Sequence, residues 1–272
     1  MTTALRRAFV DLPAGPVHYA SCGAPGLPPV LLLHQSPRSW REYAQVLPLL
    51  GRRWHAVAMD TAGFGDSAPL AAPASIEQYA QVAWALVDAL RLAPVHIVGH
   101  HTGGVIAIEM AAARPGEVAS LVLSSTPFTD AAFRHARAQR PPIDEVPPSD
   151  EGSHLAALWQ RRQGFYPAGR PALLQAFVRD ALAVANPEDG HRAVAAYRME
   201  DRIARVRQRA CILRATDDPF AAPHAAELAQ HLPQAGIIDI PGGIVPLPDQ
   251  MPEAFAAAVE AFLAGTPAST PA

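Results

Sequence analysis

Val95–Gly99 (VHIVG) is a short apolar run rich in β-branched residues, and a helical pattern begins only a few residues later, near Gly103. Between them stands Gly99-His100-His101-Thr102-Gly103-Gly104. A strand can pass into a helix over so few residues only if the backbone turns sharply and the helix starts close to the strand. The glycines permit both. The side chain at the apex, His101, is thereby exposed at the top of whatever sheet the strand joins.

The rest of the chain fits such a unit. Strands are expected at Arg7–Leu12 and Val17–Ser21, with a turn at Ala14-Gly15-Pro16 between them. Pro29–His34 (PVLLLH), Trp54–Asp60 (WHAVAMD) and Val118–Ser124 (VASLVLS) are largely apolar runs, as strands buried on both faces require. A helix is expected from Ser75 to about Leu92. Ser75 and Gln78 have capping-box spacing, and Ile76, Tyr79, Val82, Leu86 and Leu90 form one stripe. Residues 129–200 contain no convincing strand. They hold a Pro-rich acidic linker, Pro141 to Asp150 (PPIDEVPPSD), followed by amphipathic helices. Strand patterns return at Ala210–Arg214 and Gly236–Ile240, with a helix from about His224 to His231 between them, and Phe255, Val259, Phe262 and Leu263 mark a last helix. The tail GTPASTPA is expected to be disordered. Alternating strands and helices predict an α/β protein with a mostly parallel, eight-stranded sheet. Its core is residues 1–128 and 201–272, and a helical cap over residues 129–200 covers the C-terminal sheet edge, where open α/β sheets bind ligands.

Composition narrows the function classes. With 272 residues, 50% hydrophobic and 17% charged, the chain is long enough to bury a large core. A net charge of −3 gives no basic footprint for nucleic acid. No window approaches the roughly 20 apolar residues of a membrane span, and the segment from Met1 to Pro16 lacks a signal-peptide core. Cys22 and Cys211 do not suggest a disulfide framework. The expectation is a cytoplasmic, bacterial protein that takes a small-molecule substrate, with no nucleic-acid or membrane partner and a homodimer left open.

These segments resemble the α/β-hydrolase superfamily, especially its haloalkane dehalogenase and epoxide hydrolase-like branch. The glycine-rich turn resembles the family's G-x-S-x-G nucleophile elbow, and LLLHQSPRSW (Leu31 to Trp40) its H-G-x-P oxyanion loop, with Gln35 in the glycine place. MDTAGFGDS (Met59 to Ser67) is similar to the family's D-x-x-G-x-G-x-S segment. ATDDPFAAP (Ala215 to Pro223) is similar to the loop of the triad acid, which places that acid at Asp218. PGGIVPLPDQMPE (Pro241 to Glu253) is similar to the segment that carries the triad histidine.

Two departures decide the chemistry. His101 stands where the family has its nucleophile, Val245 stands at the triad-histidine position, and no histidine follows His231. A Ser-His-Asp acyl-enzyme route has neither nucleophile nor base here. Dehalogenation and epoxide opening through an elbow carboxylate are excluded as well. An imidazole reaches farther from its Cα than a serine hydroxyl, and Val245 is smaller than histidine. His101 is therefore expected to extend to Asp218 as a His–Asp dyad, with the base moved onto the elbow. By family position the backbone amides of Gln35 and Thr102 are the oxyanion donors. His34, Ser36, His100, Trp159, Tyr166 and Val245 are the candidate substrate-binding residues.

His100 and His34 also suit structural roles, and Trp159 and Tyr166 suit the core of the cap as well as a pocket wall. Adjacent histidines at a tight turn point apart and show no metal-ligand spacing, so no metal or other cofactor is expected. Arg161, Arg162, Arg170 and Arg179 read as a solvated helix face. The reaction expected on a small carbonyl or ester-like substrate is hydrolysis or a cofactor-free lyase, isomerase or decarboxylase step. The rival readings are a non-catalytic ligand-binding protein of the same fold, and nucleophilic attack by His101 through an acyl-imidazole.

Overall fold

The computed structural model describes residues 4–265, so the tail read as disordered lies almost wholly outside the described residues. Eight strands form one sheet: β1 (Arg6–Leu12), β2 (Gly15–Cys22), β3 (Pro29–Leu33), β4 (His55–Met59), β5 (Val95–His100), β6 (Val118–Ser124), β7 (Ala210–Ala215) and β8 (Ala235–Ile240). Their spatial order is β1-β2-β4-β3-β5-β6-β7-β8. The β1–β2 and β2–β4 pairs are antiparallel and the others parallel, which is the mostly parallel sheet the apolar runs predict.

The helices are α1 (Val46–Leu50), α2 (Ile76–Leu90), α3 (Thr102–Ala113), α4 (Ala131–Ala138), α5 (Ser153–Gln163), α6 (Pro171–Leu182), α7 (Asp189–Ala196), α8 (Ala225–His231), α9 (Leu247–Gln250) and α10 (Pro252–Leu263). The period of two along the strands divides the core. Leu31, Leu33, Val57, Met59, Ile97, Leu121 and Leu123 pack with α2, α3 and α8 on one face. Val30, Leu32, Ala56, Ala58, Val98 and Val122 pack with α1 and α10 on the other. The capping box forms as its spacing requires: Ser75 Oγ accepts from Gln78 N, and Gln78 Oε1 accepts from Ser75 N.

Four helices, α4 to α7, separate β6 from β7, and no strand occurs there among the described residues. This insert has a small core of its own, with Leu158, Tyr166, Leu174, Phe177 and Ala181 buried and Trp159 packed against them. One expectation fails. Arg162 is no solvated residue but is 6% exposed, with Nε donating to Asp144 Oδ1 at 2.6 Å. The acidic linker is accordingly docked: Asp144 is buried, and the Ile143 and Asp144 amides both donate to Glu188.

Candidate active site

Three glycines fix the turn that follows β5. A Cβ on Gly99 would lie 2.3 Å from the Gly103 carbonyl oxygen, one on Gly103 would lie 2.0 Å from that of Leu33, and one on Gly104 would lie 1.9 Å from Thr126 Oγ1. Any side chain there would push α3 off the sheet. His101, between strand and helix, sits at φ 46 and ψ −112, a backbone conformation that L-residues rarely hold.

His101 Nε2 lies 2.9 Å from Asp218 Oδ2. The separation is within hydrogen-bond reach, but the N–H direction is bent away from the carboxylate, so neither atom is fully satisfied. Asp218 Oδ1 accepts the Phe220 and Ala221 amides at 2.9 and 3.1 Å. Burial alone would raise the Asp218 pKa, but the facing His101 and these two amides outweigh it and hold the value at about 2. Asp217 is exposed and receives only the Thr216 hydroxyl, so Asp218 is the carboxylate brought to the turn. With Nε2 toward Asp218, the nitrogen left for chemistry is Nδ1, close to the backbone turn.

The neighbouring histidines are occupied. His100 is buried, with Nδ1 against Ser124 Oγ at 2.9 Å and Nε2 against the Val245 carbonyl at 2.8 Å. Burial, reinforced by the adjacent His101, holds its pKa well below the ordinary histidine value. His100 therefore ties the late loop to the turn and presents no free nitrogen to a ligand. His34 Nδ1 faces the Gln35 carbonyl at 2.8 Å and its Nε2 accepts from Thr61 N at 2.9 Å. It too organises a loop. Val245 is buried at 3% exposure. With both ring nitrogens of each engaged, His34 and His100 fit the structural roles that the sequence also offers them.

The Gln35 amide, expected as an oxyanion donor, is also engaged elsewhere: Gln35 N donates to Glu42 Oε2 at 3.0 Å, and the Gln35 side-chain amide donates to Glu42 Oε1. Ser36 N instead faces the start of α3, making a long 3.4 Å contact to Thr102 Oγ1. Thr102 N belongs to the first turn of α3, where amides have no intrahelical acceptor. The two amides at the turn are those of Ser36 and Thr102.

A charged cluster under this loop was not foreseen. Arg38, 1% exposed, donates from Nε to Asp180 of α6 at 2.9 Å and from Nη2 to Asp249 of α9 at 2.7 Å, with Glu42 at 3.9 Å. Burial pushes the Glu42 carboxyl up to about 7, against the pull of Arg38 and the Gln35 amides. The signal in the sequence was Gln35 itself, since an amide side chain in a glycine place must find a buried partner. The insert also reaches the loop through α7, because a Cβ on Gly190 would lie 1.8 Å from Ser36 Oγ. Tyr166 is buried against Phe177, and Trp159 packs within the insert.

Two concavities lie elsewhere. One of about 380 Å³ is lined by residues such as Pro25, His55, Arg91 and His96, and one of about 300 Å³ on the insert by residues such as Arg137, Glu188 and Arg192. Neither includes His101, and the chemistry of the turn outweighs their size. Two groups of metal-ligating type occur among the described residues, His18/Asp60/Asp66 and Asp144/Glu188/His191. Arginines Arg7, Arg137 and Arg162 already neutralise them.

Residues 28–247 match the family described as the alpha/beta hydrolase fold. A 2-hydroxy-6-oxononadienedioate/2-hydroxy-6-oxononatrienedioate hydrolase of Dechloromonas aromatica is 33% identical over 132 residues, 45% of this chain and 45% of that one. Epoxide hydrolase 4 of Mus musculus is 31% identical over 127 residues, 43% of this chain and 34% of that one. The matched stretch thus spans less than half the length of these curated relatives. Among solved structures, the enol-lactonase from Burkholderia xenovorans LB400 superposes with a TM-score of 0.78 at 18% identity, covering 94% of this chain and 100% of that one. That likeness concerns the fold alone.

Proposed function

The chain belongs to the α/β-hydrolase family and has its fold, and from that premise we propose that it is an enzyme whose general base is His101, oriented by Asp218, acting on a small carbonyl-containing substrate. The observation that carries this reading is the 2.9 Å approach of His101 Nε2 to Asp218 Oδ2. One imidazole fills two places. Its Cγ stands where a serine hydroxyl would stand, and its far nitrogen meets the acid that would otherwise orient a separate histidine. Asp218 holds the proton on Nε2 and stabilises the imidazolium once it forms. Nδ1 keeps a lone pair, and the Thr102 amide in the first turn of α3, joined by the Ser36 amide once it leaves Thr102 Oγ1, receives the substrate carbonyl oxygen as negative charge develops. A positioned base of this kind contributes ~10²–10⁴-fold.

Nδ1 takes a proton either from water, giving hydrolysis, or from the substrate itself, giving lyase, isomerase or decarboxylase chemistry. The oxo acid in the name of the Dechloromonas relative is a carbonyl compound of the required kind. We read the insert over residues 129–200 as a cap, supported by the seating of Gly190 on Ser36. The test is turnover of a panel of esters, lactones and β-keto compounds by the wild type, His101→Ala, Asp218→Asn and the double variant. Each single change is expected to remove ~10²-fold or more of the rate, and the double little beyond the worse single, because the two residues act as one unit. Activity within a few-fold of wild type in His101→Ala would overturn the proposal. Tight ligand binding without turnover on any substrate would favour the non-catalytic reading.

A further inference from the structure

The loop that follows β3 is fixed one peptide plane at a time, because a trans peptide points its C=O and its N–H in opposite directions. Between His34 and Gln35 the N–H is taken by Glu42 Oε2 at 3.0 Å. The His34 carbonyl therefore points the other way, toward α3, and a Cβ on Gly103 would lie 2.9 Å from its oxygen. Between Gln35 and Ser36 the carbonyl is taken twice: Arg38 N donates to it at 2.9 Å, and His34 Nδ1 lies 2.8 Å away. His34 Nε2 accepts from Thr61 N, so the ring proton is on Nδ1 and that nitrogen donates as well. The Ser36 N–H is left facing α3, where it makes its 3.4 Å contact with Thr102 Oγ1.

Glu42 decides the first of these planes. Its side chain is fully buried, and both its oxygens serve Gln35: Oε2 takes the backbone amide and Oε1 the side-chain amide. The Arg38 guanidinium stands 3.9 Å away, and its Nη1, the atom nearest Glu42, makes no hydrogen bond. Two charge-assisted bonds to one residue hold its backbone in place. A Gln35 amide released from Glu42 would be free to turn toward α3, where resemblance to the family expects it.

We propose that Glu42 is a positioning residue of this loop: its carboxylate turns the Gln35 amide away from the His101 turn and leaves the Ser36 amide as the donor that the loop supplies. The inference rests on the oxyanion role proposed for Ser36. Glu42 does not touch substrate, since it is sealed under the loop. Its grip depends on charge. A carboxylate accepts at both oxygens, whereas protonation turns one of them into a donor that faces the Gln35 NH2 group. Burial pushes the Glu42 pKa up to about 7, against Arg38 and the Gln35 amides, so the grip loosens as pH falls through that value. The charged and titratable groups around it are Arg38 on its own loop, Asp249 of α9, and Asp180 of α6 through Arg38. The phenols of Tyr43 and Tyr166 also face it, and burial keeps both neutral.

The test follows the Gln35 and Ser36 backbone amides and the Glu42 carboxyl carbon by NMR in the labelled full chain from about pH 5 to 9. In the wild type all three should share one midpoint at about 7. Glu42→Gln keeps the size and one acceptor oxygen for the Gln35 amide, and both amides should then hold still across the range. In His101→Ala the shared midpoint should survive, because it belongs to Glu42 and not to the ring. Gln35→Gly keeps the backbone bond and deletes the side-chain one, so the Glu42 midpoint should rise by about one unit, the worth of a hydrogen bond to a charged group. A Ser36 amide that is flat in the wild type, or that titrates unchanged in Glu42→Gln, would overturn the proposal. A midpoint lost in His101→Ala would belong to the dyad, which overturns the role of Glu42 and leaves the base in place. These titrations need no substrate, so they fail or succeed apart from the dyad reading. On a compound that the wild type turns over, Glu42→Gln should lower kcat ~10-fold or more with KM within a few-fold, since a displaced donor acts on the transition state. An unchanged kcat beside a lowered Tm would make Glu42 merely structural and overturn the positioning role.

Discussion

Arg38→Met removes the buried cation that faces three buried carboxylates and leaves only Asp180 with a second cation, Arg179, whose Nη2 lies 2.9 Å from its Oδ1. Asp180 and Asp249 lie 2.9 and 2.7 Å from the Arg38 guanidinium and Glu42 lies 3.9 Å away. All four side chains are 9% exposed or less, so water cannot replace the lost partner. Breaking such a buried pair costs ~3–5 kcal/mol. At ~2–4 °C per kcal/mol for a domain of this size, that is a fall of about 10 °C in Tm. The cost depends on pH, with a sign fixed by the carboxylates. The Glu42 pKa rises on folding from 4.5 to about 7, so the native state holds the extra proton and Glu42's contribution to stability falls as pH rises through that window. Burial likewise raises Asp249, against Arg38. Without Arg38 both values climb further, and the unfavourable window extends upward. The deficit of Arg38→Met should therefore be smallest near pH 5 and larger at pH 8 in thermal melts followed by circular dichroism. A deficit below ~1 kcal/mol, or one equal at both pH values, would refute the reasoning, because a shared buried cation requires both features.

Gly103→Ala should cost at least ~1–3 kcal/mol in urea melts, since its Cβ meets two backbone carbonyls, those of Leu33 at 2.0 Å and His34 at 2.9 Å. Gly116→Ala, with nothing within 4 Å, should change stability by no more than ~0.5 kcal/mol. Asp218→Asn should be less stable than wild type by about 2 kcal/mol at neutral pH, the value of a carboxyl lowered from 3.8 to about 2. Because the folded value is depressed, that advantage should fade as pH falls from about 4 to 2, and a difference that persists at pH 2 would contradict the assignment.

Local features were legible in the sequence. The central strands could be read because each is an apolar run between turn residues, and α2 because Ser75 and Gln78 cap it. The His101 turn could be read because three glycines sit where backbone meets backbone. Asp218 followed from the resemblance of its loop, Ala215 to Pro223, to the family's loop of the triad acid. What the sequence hid depends on distant partners. Arg162 looks solvated on its own helix and is buried only because Asp144 lies across from it. Nothing local in Arg38 announces Asp180 and Asp249, respectively 142 and 211 positions along the chain. Resemblance by position gives the oxyanion role to the Gln35 amide, and nothing local to Gln35 announces that Glu42 accepts from that amide or that Ser36 N faces Thr102 Oγ1.

The placement of the proton on His101 tests the central claim most directly. In ¹⁵N-labelled full-length protein, two-bond ¹H–¹⁵N spectra distinguish the protonated ring nitrogen from the bare one. With Nε2 at 2.9 Å from Asp218 Oδ2, the neutral His101 ring should carry its proton on Nε2 and leave Nδ1 bare. The Nε2 proton should resonate far downfield and lose that shift in Asp218→Asn. A ring protonated on Nδ1, or a spectrum that Asp218→Asn leaves unchanged, would contradict a base oriented by Asp218.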